Sequence, residues 1–120
     1  MKMGKIIAAV PVLQKLADEK LTLKTLYKVS NLLAKLDKEI AFYNKKRLDI
    51  LESLGSNIQG DQWKIPSEKL EEFQAQTEEL LNLETETEIT PIKLPTSEPI
   101  QMSYNDIKAL EGFVELDFVE

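Results

Sequence analysis

The chain has no cysteine and no histidine. Without cysteine there are no disulfides and no thiolate metal sites, which points to a reducing compartment. Without histidine the commonest general base and the commonest metal ligand are both missing. Aromatic residues make up 7% of the 120 positions and charged residues 30%. That balance suits helical, hairpin-like proteins better than compact enzymes. The apolar run Ile6-Ile7-Ala8-Ala9-Val10-Pro11-Val12-Leu13 follows Lys2 and Lys5 as a secretory leader would, but Gln14, Lys15, Asp18 and Glu19 cut it short. No stretch approaches membrane-spanning length. The expectation is a soluble cytoplasmic protein with no cofactor, no metal and no small-molecule substrate. No serine has a base suggested by motif, so an enzyme is not expected.

What is present is a heptad seam. Leu26, Val29, Leu33, Leu36, Ile40, Tyr43, Arg47, Ile50 and Leu54 follow a 3-4 spacing, and all but Arg47 are apolar. This predicts one long helix over residues 22–54 whose stripe another helix must cover. Thr22 is placed to cap its start, with Leu21 and Leu26 as a hydrophobic staple, and Gly55 to end it. Leu32, Phe42, Leu48 and Leu51 widen the apolar face, so a third element or a second chain is expected on its flank.

The remaining segments read as follows. Residues 1–20 have helical spacing, but Pro11 is expected to split them into a short helix or turn up to Ala9 and a short cap helix starting at Pro11. Residues 57–65 suit a β-hairpin with Gly60-Asp61 as its loop and Ile58 opposite Trp63. Ser67 is placed to cap a second helix, residues 67–83, in which Leu70, Phe73, Thr77 and Leu80 keep the same rhythm. From Glu84 the period changes to two: Thr85, Thr87 and Ile89 alternate with Glu84, Glu86 and Glu88, as in a half-buried strand. Pro91, Pro95 and Pro99 confine residues 90–100 to an edge strand or a loop. Ser103-Tyr104-Asn105-Asp106 forms a capping box before a short helix ending at Gly112, with Met102 and Ile107 as its staple. Phe113–Val119 reads as a last strand. The predicted fold is one domain, mainly α with small β: a long antiparallel helical hairpin, coiled-coil-like, with a β-hairpin between its arms and a strand-helix-strand region at the end.

Charge divides with the chain. Residues 1–55 carry eleven Lys/Arg against six acids, and residues 56–120 carry four against fifteen, within a net charge of −6. A basic arm folded on an acidic one explains this without a ligand. Arg47, on the seam, is expected to pair with Glu71, Glu72 or Glu79. Lys45, Lys46 and Arg47 are too few, in a chain of pI 4.8, for a nucleic-acid surface. Glu84, Glu86 and Glu88 offer either a weak cation site or a solvated acidic edge. Trp63 and Tyr43 are expected to pack rather than to recognise a ligand. The tail residues Phe113, Val114, Leu116 and Phe118 are the interaction candidates, together with those three glutamates: the tail either completes the domain's own sheet or adds a strand to a partner.

The stretches Pro11-Val12-Leu13-Gln14-Lys15-Leu16-Ala17 and Lys20-Leu21-Thr22-Leu23-Lys24-Thr25-Leu26-Tyr27-Lys28, then the long Leu/Lys/Glu helix, resemble small uncharacterised proteins of tailed bacteriophages and prophages of Gram-positive bacteria. The pattern Ser103…Asp106-Ile107…Leu110-Glu111…Phe113-Val114 is similar to their closing motif. The resemblance implies a phage origin, a place in the bacterial cytoplasm or the virion, and no reaction or functional residue. The architecture is also similar to that of β-type prefoldin subunits, two helical arms joined by a hairpin. Three functions follow as expectations: protein–protein contact in virion or tail assembly or on a host factor, including self-association; a prefoldin-like holdase; or an inhibitor of a bacterial defence enzyme whose acidic half mimics nucleic acid. No membrane partner is expected.

Overall fold

The computed structural model describes residues 1–95 and 102–117, the last two as backbone only. The organising element is α2 (Leu23–Leu54), an unbroken helix of 32 residues, about 48 Å long at 1.5 Å per residue. It runs through a molecule measuring 57 × 29 × 24 Å. Thr22 caps it as its position predicts, its side-chain oxygen accepting from the Thr25 N–H. Gly55 ends it, but in extended backbone (φ −128°) rather than the left-handed form. Its lack of a side chain matters for space: a Cβ there would stand 2.5 Å from Ile65 Cδ1 and 2.9 Å from the Lys64 carbonyl oxygen. The strand returning past the helix end needs that gap.

Two shorter helices cover α2 in succession. The first, α1 (Met3–Ala17), runs through Pro11 without a break, contrary to the split predicted at that residue. Pro11 is exposed, while Ile6, Ala9, Val10, Leu13 and Leu16 on the other face are buried. A mid-helix proline costs about 3 kcal/mol, and burial of about 1.5–3 kcal/mol for each large apolar side chain outweighs it. So α1 is the main partner of the first half of α2, where Val29, Leu32 and Leu36 meet it, rather than a small cap. The second helix, α3 (Leu70–Leu81), covers the other half. It enters through a 3₁₀ turn at Ser67–Lys69 with no side-chain cap, so Ser67 does not play the capping part predicted for it.

Both short helices run antiparallel to α2, and they meet end to end. The carbonyl end of α3 abuts the amino end of α1: Met3 N–H donates to the Leu83 carbonyl at 2.8 Å, and a Cβ on Gly4 would lie 3.1 Å from the Leu81 carbonyl oxygen. Two segments more than fifty residues apart in sequence thus make one interrupted rod beside α2. Their dipoles align head to tail, a favourable arrangement.

Between α2 and α3 lies the expected hairpin, β1 (Ser56–Gln59) and β2 (Gln62–Lys64). Gly60 takes the positive φ of +56° that the tight turn requires, and Asn57 Nδ2 donates to its carbonyl. The register differs by one from expectation. Asn57, not Ile58, faces Trp63, because Ile58 is the extra residue of a bulge and stands 62% exposed.

After α3 the chain lies back along the helices. Residues 84–89 alternate in burial as predicted, Glu84, Glu86 and Glu88 out, Thr85, Thr87 and Ile89 half in, but among the described residues they pair only through a single bridge, Lys2 with Glu84. Side chains anchor them instead: Thr85 Oγ1 donates to the Met1 carbonyl and Thr87 Oγ1 to Glu39. Then β3 (Ile92–Pro95), α4 (Tyr104–Ala109) and β4 (Val114–Asp117) form a strand-helix-strand unit with the strands parallel, Ile92 opposite Val114. The Ser103–Asp106 capping box is present in both directions. Leu110 and Phe113 drop into the cluster formed by α1 and α2, closing the core. Over the described residues the fold is therefore mainly helical with two small two-stranded sheets, a helical hairpin with β-structure at the join and at the end.

Candidate interaction surface

Burial along α2 divides at its midpoint. Val29, Leu32 and Leu36 are sealed, and Leu51 and Leu54 are sealed at the far end, but between Leu36 and Leu51 no residue of the helix is buried. On α3 only Leu80 is buried. The two helices consequently leave a groove between them of about 550 Å³, with Phe42, Lys46, Ile50, Glu79, Leu80 and Leu83 among its walls. A second recess of about 330 Å³ continues it toward Met3, Lys38 and the 84–86 segment, with Phe42 and Leu83 shared by both. Phe42 is 42% exposed and Leu83 40%. Lys46 leans over the Phe42 ring at 5.8 Å and reaches Asp49 at 3.9 Å, a solvent-facing pair of little energetic weight.

The electrostatics of this half differ from the prediction. Arg47 is exposed and makes no ion pair among the described residues, and neither do Glu71, Glu72 or Glu79. A long arginine side chain keeps its charge hydrated by reaching past the seam. The basic arm and the acidic arm therefore do not neutralise one another where α3 crosses α2. The wall of the groove contributed by α3 and the following segment is acidic, through Glu79, Glu84 and Glu86.

The residues singled out from sequence are distributed differently. Phe113 is fully buried and Val114 packs against the core, so these two complete this chain's own core. Backbone pairing puts Leu116 opposite Leu94 in the parallel sheet. Phe118 lies outside the described residues. Glu84, Glu86 and Glu88 are exposed, and among the described residues no three acids gather as a metal ion requires. Glu84 meets the Met1 amino group at 3.1 Å. Trp63 and Tyr43 are half-buried.

Sequence reasoning missed the most exposed large apolar side chain among the described residues, Leu23 at 82%, and Tyr27 one turn later at 67%. The signal was available: an i, i+4 apolar pair lying off the heptad seam. Lys24 and Lys28 form a parallel i, i+4 row beside it. Leu83 was equally readable, three residues beyond Leu80.

At the other end of the body, Lys15 Nζ donates to Asp106 Oδ2 at 3.2 Å, and the Ser103 N–H donates to the same oxygen. The lysine contact first, then the backbone contact, hold the Asp106 carboxyl below its ordinary value. Among the described residues no helix is long and apolar enough to cross a membrane. Comparison with known protein families, curated proteins and solved structures finds no match for this chain.

Proposed function

We propose that this is a bacteriophage protein that works without catalysis, by protein–protein contact in particle assembly or on a host factor, within the host cytoplasm or the virion. One observation carries the contact reading: the far half of α2 and α3 leaves a continuous groove with Phe42 and Leu83 at its centre and the carboxylates of Glu79, Glu84 and Glu86 along one wall. A concave, partly apolar surface rimmed by charge is the usual form of a protein-binding patch. The phage origin rests on the sequence resemblance alone. The test is a photo-crosslinking residue placed at Phe42 or Leu83, with Glu78 as an exposed control. A discrete protein adduct at the first two positions and not at the third is expected. Failure to crosslink any protein, including another copy of this chain, in an infected-cell extract rejects the reading.

Exposed apolar side chains at both ends of α2, Leu23 and Tyr27 at one and Ile58 at the other, favour a second reading, a holdase gripping unfolded chains. It requires suppression of a denatured client's aggregation at stoichiometric amounts. A client that aggregates at its unassisted rate eliminates it.

A further inference from the structure

The contact reading leaves the occupant of the groove open, and the rest of the surface supplies one. We infer that the groove receives the first turns of α2 from a second copy of this chain, so that copies join head to tail. This rests on the contact reading and adds the partner and its orientation.

The two surfaces complement each other in shape class and in charge. The groove is concave, with Phe42 and Leu83 half exposed and Glu79, Glu84 and Glu86 on one wall. The projecting turn presents Leu23 and Tyr27, 82% and 67% exposed, beside Lys24 and Lys28. An amphipathic turn read as an i, i+4 anchor pair in a helical groove is a recurring mode of recognition, and opposite charges along it set register and speed encounter. The charge of the chain is arranged for this: among the described residues only one lysine of the first half, Lys15, is paired with an acid of the second, Asp106.

The join cannot be made within one molecule. Leu23 and Phe42 lie on the same rigid helix, nineteen residues and about 28 Å apart along its axis. Knob and groove are also different patches, so the contact is heterologous: each copy keeps one free knob and one free groove. Such contacts propagate into a ring if the rotation closes and a filament if it does not.

The test is sedimentation of the whole chain across a concentration series reaching about 100 µM, roughly a hundred times a micromolar dissociation constant. The native chain is expected to pass beyond the dimer as concentration rises. Leu23→Asp with Tyr27→Ser removes the knob, and Phe42→Ser with Leu83→Ser removes the groove. Each double variant alone is expected to stay monomeric, with association weakened at least about 100-fold for the loss of two anchors. Mixed in equal amounts, they restore one knob–groove contact, and the product stops at a 1:1 heterodimer. A native chain that stays monomeric, or a mixture that does not pair, overturns the proposal. Lys24→Glu and Glu79→Lys, both at exposed positions, give a second reading free of folding effects. Each weakens association, and mixing them recovers it. A crosslink from position 42 to a different protein and never to a second copy keeps the contact reading and discards this one.

Discussion

The two halves of α2 obey one heptad rule and have different fates. In the first half, α1 on one side and the Leu110–Phe113 turn on another seal the stripe, and ten side chains form one buried cluster. In the second half α3 is the main neighbour, and only Leu51, Leu54 and Leu80 are buried. Apolar periodicity says which face of a helix seeks cover, but the amount of cover is set by how many elements the chain brings to it. The under-covered half is where surface is left for another molecule.

That contrast is most directly challenged by truncating one core residue in each half. Phe113→Ala removes a fully buried ring from the first half and should cost about 3–5 kcal/mol, a large share of the stability of a small domain. Leu80→Ala, in the second half, should cost about 2 kcal/mol, the low end for a leucine, because its surroundings can relax. Urea denaturation measures both. Hydrogen exchange then locates them: Leu80→Ala should raise exchange in α3 and the hairpin while α1 stays protected. If α1 loosens equally, the halves form one cooperative unit and the comparison is wrong.

A smaller effect sharpens the same contrast at the point where α2 hands over to the hairpin. Gly55→Ala should destabilise by about 1–3 kcal/mol, because its new methyl group meets a backbone carbonyl that cannot give way easily. The loss should show as fraying of β1 and β2 before the first half responds. A neutral Gly55→Ala would mean that the second half is looser still.

How far these features were legible depended on whether their cause was local. Thr22, the Ser103–Asp106 box and the change to period two at Glu84 are interactions between neighbours, and each was found where the residues placed it. Pro11 misled because its cost is local while the burial that outweighs it comes from α2 and the tail. The hairpin register slipped by one because a bulge at Ile58 leaves no mark in composition. The join of α3 to α1 was invisible, since nothing in either segment says that the Leu83 carbonyl will meet the Met3 amide. For the interaction surface the position was reversed. Leu23 and Tyr27 were in plain view as an off-seam pair, but a greasy tail drew attention away from them, and Phe113 proved to be core.

The smallest expected effect concerns the clasp that seals the first half. Lys15 and the Ser103 amide both stabilise the charged form of Asp106, so its carboxyl is depressed below the ordinary 3.8. A group whose folded pKa is depressed adds stability above its unfolded pKa and loses that contribution as pH falls through the folded value. The clasp is therefore intact at neutral pH and is lost in acid, below about pH 4, the ordinary carboxylate range. Asp106→Asn should remove this part of the acid dependence, flattening the fall in stability below that pH relative to the native chain. Because the contact is open to solvent, added salt should weaken the Lys15 part of the effect and leave the backbone part. The control in the other half is Asp49→Asn, which breaks only the long, solvent-facing Lys46 contact, a pair of little energetic weight. Equal flattening by both variants would place the acid sensitivity in the general charge of the chain instead of in the clasp that completes its better-covered half.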